Sequence, residues 1–171
     1  MTIEIAVSSA SLMRALGERL ATVLRAGDLV VLTGPLGAGK TTLAQGIGAG
    51  LGVRGGVTSP TFVIARVHPP LGAGPSLVHV DAYRLGGRLE VDDLDLDASL
   101  DDSVTLVEWG EGLVEELSAD RLDVEISRPQ GATDTADAAD AGIDAEREPR
   151  MVRIVGSGDR WRDADLSALA R

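Results

Sequence analysis

The chain has 171 residues, enough for one domain with a proper core but too few for two comfortable ones. Only 2% of its residues are aromatic, none is cysteine and no apolar run approaches the ~18 residues that span a membrane, which excludes a disulfide framework, a thiolate site and a membrane segment. With 27 acidic and 16 basic residues the net charge is −11, which excludes strong binding of a polyanion such as tRNA by this surface alone.

The first half of the sequence alternates between strand and helix patterns. The start, MTIEIAVSS, lacks the layout of a signal peptide, so we expect a cytoplasmic protein, and its alternating apolar residues predict a half-buried strand. Apolar residues at helical spacing then predict a helix over residues 12–24 with a serine as its N-cap. The run LVVLT at Leu29–Thr33 predicts a buried strand. A second helix is predicted after it, and glycines should end that helix near Gly50 or Gly52.

The second half predicts shorter strands between polar segments. The predicted strands are residues 61–67, 77–80, 103–107, 122–126 and 151–155. HPPLGAGPS, at residues 68–76, predicts a loop because proline and glycine disfavour regular structure. The acidic stretch 85–102 predicts a helix, and a short helix is expected at residues 112–117.

An acidic segment separates the last two predicted strands. Residues 131–149 contain six acidic residues and one basic residue, and their only large aliphatic side chain is Ile143. Such a segment cannot bury enough apolar surface to offset the entropy of ordering it. We therefore predict one domain over residues 1–171 with a disordered loop at 131–149, and an acidic docking segment is the alternative.

The stretch GPLGAGKTT matches the phosphate-binding pattern G-x-x-x-x-G-K-[ST], with Gly34, Gly39, Lys40 and Thr41 at the defining positions. The glycines let consecutive backbone N–H groups turn towards phosphate oxygens, and the helix that follows adds its positive dipole end. A chance match in a glycine-rich chain is the alternative, but a predicted buried strand precedes the loop and a helix follows it. We predict an α/β fold, a single P-loop NTPase-like three-layer domain with a mixed, mainly parallel central sheet.

Lys40 is the only lysine in the chain, since the other fifteen basic residues are arginine. A compact ammonium suits the β- and γ-phosphates better than the flat guanidinium of arginine does. The guanine-reading motif N-K-x-D needs a second lysine, so a GTPase is excluded. A metabolite kinase usually needs a lid and an acceptor pocket, for which this chain leaves little length.

Two acidic residues, Asp81 and Glu108, each end a predicted apolar strand. Ligands of parallel sheets bind at the carboxyl ends of the strands, and a P-loop needs a second carboxylate to hold Mg²⁺ or to orient water. Each acid taken alone could be an ordinary acid at a strand end or a helix cap, but the two together at this edge favour a functional role. His79, inside the strand before Asp81, is more typical of a packed or surface strand residue than of a base.

Four segments in this order resemble the bacterial TsaE (YjeE) family, the small ATPases of tRNA threonylcarbamoyladenosine biosynthesis. They are GPLGAGKTT, VTSPTF at residues 57–62, HVDAYRL at 79–85 and LVEWGE at 106–111. The resemblance runs from about residue 8 to residue 112 and fades across the last two strands. Two features depart from the family: Pro35 replaces an acid often found there, and the acidic segment is longer than expected.

The resemblance implies a role for each matching residue. Thr41 and Glu108 would hold Mg²⁺, Asp81 would lie near the γ-phosphate of ATP, and the catalytic residues would be Lys40, Asp81 and Glu108. Residues 58–61 would form a switch-like loop. The residues implied to bind ATP or ADP are Leu36, Gly37, Ala38, Gly39, Lys40, Thr41, Thr42 and Asp81, with Arg150 as the candidate basic residue from the C-terminal part. Those implied to flank the site are Tyr83, Arg84 and Trp109.

The resemblance also implies a function within a complex. The chain would bind and hydrolyse ATP, slowly alone and faster with its partners, and so reset the subunits that form N6-threonylcarbamoyladenosine at position 37 of tRNA. Those partners would be TsaB/TsaD-like transfer subunits, and tRNA would be met only indirectly through them. A small-molecule kinase using the same loop and a nucleotide-gated interaction module with negligible hydrolysis are the alternatives.

Overall fold

Seven β-strands form one sheet in the computed structural model, which describes residues 1–58, 64–84, 96–128 and 149–170. In chain order the strands are β1 (Thr2–Val7), β2 (Leu29–Thr33), β3 (Ala65–His68), β4 (Ser76–Asp81), β5 (Ser103–Glu108), β6 (Arg121–Ser127) and β7 (Arg150–Ser157). The helices of the same ranges are α1 (Ala10–Ala21), α2 (Lys40–Leu51), α3 (Asp97–Leu100) and α4 (Asp159–Arg162), with 3-10 turns at Ala82–Arg84 and Ser167–Ala170.

The sheet is mixed, with the strand order β1-β7-β6-β2-β5-β4-β3. Strand β2 pairs in parallel with β5 and β6, and β5 pairs in parallel with β4. Strand β7 is antiparallel to both β6 and β1, and β3 is antiparallel to β4. Five of the seven described strands, all but β3 and β7, therefore run in one direction. The predicted α/β fold with a mixed, mainly parallel sheet is confirmed.

Helices α1 and α2 cover one face of the sheet. The serine at the start of α1 is Ser9, whose hydroxyl accepts a hydrogen bond from the Leu12 amide at 3.2 Å. The two helices approach closely at Gly17, where an added Cβ would lie 2.4 Å from the Leu43 carbonyl oxygen. Helix α2 ends at Gly52, which has a φ of 66° and caps the last turn. The predicted end of this helix is correct.

Among the described residues, the opposite face is covered over β2, β5 and β4. Leu29, Val31, Val80 and Val107 of these strands pack against a cluster that includes Leu96 beside α3 and Val114. Over β1, β7 and β6 the same face carries charged side chains instead, with Arg153 between Glu4 at 4.0 Å and Glu125 at 3.8 Å. Alternating polar residues of this kind are typical of a solvated sheet face.

The helix predicted at residues 112–117 is wrong, because the structure has a series of turns there. Gly112 has a φ of 77°, which is incompatible with a right-handed helix and interrupts the hydrogen-bond ladder. The amides of Leu113 and Val114 donate to the Gly110 carbonyl, and the Leu117 amide donates to Val114. These turns still bury Val114 against the sheet.

Three other predictions are tested only in part. The strand predicted at 61–67 is β3, which begins at Ala65 within the described range, and residues 61–63 lie outside it. Of the acidic stretch predicted as a helix, the described part contains α3, and residues 85–95 lie outside. The predicted loop at 131–149 also lies outside the described residues, except for Pro149. The strands on either side of it, β6 and β7, pair antiparallel, as a hairpin-like connection requires.

The C-terminal segment after β7 belongs to the same core, which the sequence does not predict. Trp161 of α4 is fully buried, and Leu166 and Leu169 join it in the cluster beneath α1 and α2. Arg160 donates to the Val23 carbonyl at 2.8 Å and pairs with the buried carboxylate of Asp28. No helix of the described ranges is long and apolar enough to cross a membrane.

Candidate functional site

The glycine-rich loop connects the end of β2 to the start of α2, as its sequence predicts. Gly34 has a φ of 140°, and an added Cβ would lie 2.4 Å from the Ile126 carbonyl oxygen, so only glycine fits against β6 at this position. Gly39 has a φ of 114° and precedes the first residue of α2. The N-terminal amides of α2 therefore point into the loop, which is the arrangement that binds anions.

Lys40 folds back over this loop. Its Nζ donates to the carbonyl oxygens of Gly34 at 2.7 Å and Pro35 at 3.0 Å, and it lies 3.8 Å from the centroid of the Trp109 ring. Burial lowers the pKa of the Lys40 ammonium, and the carboxylates of Glu108 and Asp81 act in the opposite direction. A desolvated ammonium interacts strongly with an anionic ligand, whereas the two carboxylates would repel a bare anion and favour one that is accompanied by a divalent cation.

The two predicted acids lie side by side at the same edge of the sheet. Asp81 and Glu108 are the last residues of β4 and β5, and they are direct partners in the parallel register. The Thr41 hydroxyl donates to Glu108 at 3.3 Å from Oε1 and 3.4 Å from Oε2. Asp81 Oδ1 accepts from the Tyr83 amide at 3.1 Å, so this carboxylate also caps the 3-10 turn after β4.

The predicted nucleotide-binding residues, except Arg150, line one cleft of about 380 Å³. The residues lining it are Leu36, Gly37, Ala38, Gly39, Lys40, Thr41, Thr42, Asp81, Tyr83, Glu108 and Trp109. The hydroxyl of Thr41 and the carboxylate of Glu108 are hard oxygen donors beside the lysine. Because Mg²⁺ is usually held by one or two protein oxygens together with phosphate oxygens and water, this donor set fits that ion.

Arg150 lies on the other side of the loop. Its Nη1 donates to the Gly37 carbonyl, and it lines a second, smaller cavity of about 80 Å³ with Gly37, Gly39 and Thr42. The walls of this cavity include Val7, Ser8, Ser9 and Met13. The structure therefore brings Arg150 to the phosphate loop but not to the cleft that contains Asp81 and Glu108.

Aromatic and apolar side chains form the rim of the cleft. Trp109 has a φ of 63°, which is rare for a residue with a side chain, and its amide donates to the Leu32 carbonyl at 2.9 Å. The rings of Tyr83 and Trp109 lie 5.1 Å apart, tilted by 52°. Tyr83 is 68% exposed and Leu36 at the loop tip is 85% exposed. Residues 59–61 of the switch-like segment predicted at 58–61, and the Arg84 side chain, lie outside the described part.

His79 lies beside the site, and the sequence does not predict this contact. It is fully buried, as a packed strand residue should be, and its Nε2 lies 2.9 Å from Glu108 Oε1. The signal in the sequence is weak: His79 and Asp81 share a face of β4 because they are two residues apart. Which residue of β5 they meet depends on the pairing of the two strands.

Comparisons with known proteins relate this chain to one protein family. The model of the family described as "Threonylcarbamoyl adenosine biosynthesis protein TsaE" matches residues 7–136. A Streptomyces coelicolor relative named tRNA threonylcarbamoyladenosine biosynthesis protein TsaE is 65% identical over 159 residues, covering 92% of this chain and 99% of the relative. A Bacillus subtilis relative of the same name is 40% identical over 116 residues, covering 67% and 71% of the two chains.

A solved structure is similar to this chain in its fold. The crystal structure of Bacillus subtilis YdiB superposes with a TM-score of 0.67 at 28% sequence identity. The match covers 94% of this chain and 89% of YdiB.

Proposed function

This chain belongs to the TsaE family of threonylcarbamoyl adenosine biosynthesis proteins, and from that membership we propose that it is the ATP-binding and ATP-hydrolysing subunit of its pathway. It acts in the biosynthesis of threonylcarbamoyladenosine in tRNA. The observation that carries the proposal is the meeting of Lys40, Thr41, Asp81 and Glu108 around one cleft above an anion-binding helix terminus.

Different residues of the site bind different parts of the nucleotide. The loop amides and Lys40 bind the phosphates. To do so, Lys40 Nζ gives up its hydrogen bonds to the carbonyls of Gly34 and Pro35 and donates to phosphate oxygens instead. Thr41 and Glu108 would hold Mg²⁺, a Lewis acid that would offset the charge of the phosphates. The second cavity, with Met13 and Thr42 in its walls, offers a partly apolar surface of the kind that a nucleotide base needs.

Asp81 is the residue that we place on the γ-phosphate side of the cleft. Its Oδ1 is fixed by the Tyr83 amide, so the carboxylate has a defined position at the rim. A carboxylate at this position can orient a water molecule for attack on the terminal phosphate, as the water-positioning groups of other P-loop enzymes do. Loss of Asp81 should therefore affect turnover more than binding.

The cleft also supports a dependence on partners. Lys40 is the only basic residue among the described residues that line it, so none of these residues is an arginine that could neutralise charge in the transition state. Arginines supplied by a partner raise the turnover of other P-loop enzymes by orders of magnitude. We propose that TsaB/TsaD-like transfer subunits complete the site and that hydrolysis resets them between rounds of transfer. The net charge of −11 fits a subunit that meets tRNA only through those partners.

The test is a reconstitution with TsaB/TsaD-like subunits, tRNA and the threonylcarbamoyl donor. We expect slow ATP hydrolysis by the isolated chain, a sharp rise with the subunits, and repeated rounds of tRNA modification only with ATP and the wild-type chain. The Lys40→Ala variant should support no repeated rounds. Fast hydrolysis that the subunits leave unchanged and a small acceptor stimulates would instead indicate a small-molecule kinase. Modification that needs ATP binding without any hydrolysis would indicate a nucleotide-gated interaction module.

A further inference from the structure

The carboxylate of Glu108 is held from two sides. Only 3% of the residue is exposed, and Thr41 Oγ1 contacts it from the first turn of α2. From the neighbouring strand, His79 Nε2 reaches Glu108 Oε1 at 2.9 Å. His79 is fully buried and does not line the cleft, so it can affect a nucleotide only through Glu108.

The chemistry of the pair determines the direction of its hydrogen bond. An ionised carboxylate only accepts hydrogen bonds, so His79 Nε2 must carry the proton and donate. Within the described part of the chain, Nδ1 of the same ring has no hydrogen-bond partner. The hydrogen bond to Glu108 is therefore made by Nε2 of the imidazole.

A buried glutamate without such a donor has two disadvantages. Its three rotatable side-chain bonds allow several orientations, and an unsatisfied buried oxygen costs about 1–3 kcal/mol. The bond to His79 fixes Oε1 against the strand, which keeps the carboxylate beside the Thr41 hydroxyl. Groups that orient a metal-binding side chain in this way commonly change metal affinity by about 10–100-fold when they are removed.

We propose that His79 is a positioning residue that orients Glu108 for the Mg²⁺ of a bound Mg–nucleotide, an inference that rests on the proposed function. His79 touches neither nucleotide nor ion. Its loss should reduce the contribution of Mg²⁺ to nucleotide affinity and leave the metal-independent part of binding, which belongs to the loop and Lys40. A histidine that only fills the core would show no such selectivity.

The test measures ATP affinity by calorimetry in Mg²⁺ and in EDTA for four proteins. We expect the wild type to bind more tightly in Mg²⁺, and His79→Phe, which keeps a buried ring but has no donor, to lose about 10-fold or more of that gain. His79→Gln, whose side-chain amide can donate, should recover part of it. Val78→Ala is the control, because it removes buried volume from the same strand in the other core cluster and should keep the full gain.

Each result separates the inference from the proposed function. A folded His79→Phe variant with the full Mg²⁺ gain, or a His79→Gln variant no better than His79→Phe, would overturn the positioning role while leaving ATP binding intact. A wild-type protein that binds no ATP would overturn the proposed function itself.

A measurement on the wild type covers the case in which the variants do not fold. The chain has two histidines, so ¹⁵N spectra of histidine-labelled protein can be assigned to each ring. We expect the proton of His79 on Nε2. A proton on Nδ1 alone would overturn the inference, because Nε2 could not then donate to the carboxylate.

Discussion

Lys40 illustrates at the scale of one residue how burial and charge prepare a binding site. Its ammonium contacts two loop carbonyls and the Trp109 ring rather than the aliphatic core. We therefore expect Lys40→Ala to abolish measurable ATP binding in calorimetric titration while leaving the melting temperature nearly unchanged. Arg14→Ala is the control: it also removes a cationic side chain, but one that donates to Gln45 rather than to the phosphate loop, and it should bind ATP normally. Near-normal ATP affinity in a folded Lys40→Ala protein would rule out the phosphate-binding role.

Substitutions of the two strand-end acids should have different effects, because the two carboxylates have different hydrogen-bond partners. Glu108 contacts Thr41 and His79, whereas Asp81 contacts the Tyr83 amide. Glu108→Gln should weaken nucleotide binding more in Mg²⁺ than in EDTA, since an amide is a poorer ligand for a hard cation. Asp81→Asn should retain ADP affinity and lose ATP turnover. The check is a pair of titrations and a phosphate-release assay, and equal behaviour of the two variants would refute the division of roles.

At the scale of elements, helices α1 and α2 pack with their backbones in close contact at Gly17. An added Cβ at Gly17 would lie 2.4 Å from the Leu43 carbonyl oxygen and 2.8 Å from the Ile47 amide nitrogen. Both atoms belong to the backbone of α2, so the helices would have to separate. We expect Gly17→Ala to lower the free energy of unfolding by about 1–3 kcal/mol, measured by urea denaturation.

Gly72→Ala is the matched control for that prediction. An added Cβ at Gly72 meets no atom within 4 Å, so the same chemical change should leave the unfolding free energy almost unaltered. Equal midpoints for Gly17→Ala and Gly72→Ala would show that the two helices tolerate a wider separation.

At the scale of the whole molecule, the C-terminal segment packs into the same hydrophobic core as β1. Trp161 packs on Gly156 of β7 and is fully buried. Trp161→Ala should lower the free energy of unfolding by about 3–5 kcal/mol in one cooperative transition, followed by circular dichroism. Arg162→Ala, in which an exposed pair with Asp159 is lost, should change it little. A second transition, or no loss of stability, would mean that this segment folds apart from the sheet.

The sequence by itself determined the features that depend on neighbouring residues. The run Leu29–Thr33, the glycine-rich loop and the helix that ends at Gly52 are all visible in patterns a few residues long. Asp81 and Glu108 could be placed together because parallel strands end at the same edge of a sheet. These local rules were enough to predict the fold class and to select Lys40, Thr41, Asp81 and Glu108, whereas the remaining residues of the cleft were implied by the family resemblance.

Only the tertiary structure decided how distant segments meet. The hydrogen bond between His79 and Glu108 joins residues 29 positions apart, and that between Arg150 and Gly37 joins residues 113 positions apart. Periodicity assigns a side chain to a face of its own strand or helix, but not the strand order or the pairing that selects its neighbour. That pairing decides which residue His79 meets, which side of the loop Arg150 reaches and whether Trp161 is buried. The free energy that selects the pairing comes from the packing of the whole core, so short sequence patterns do not contain it.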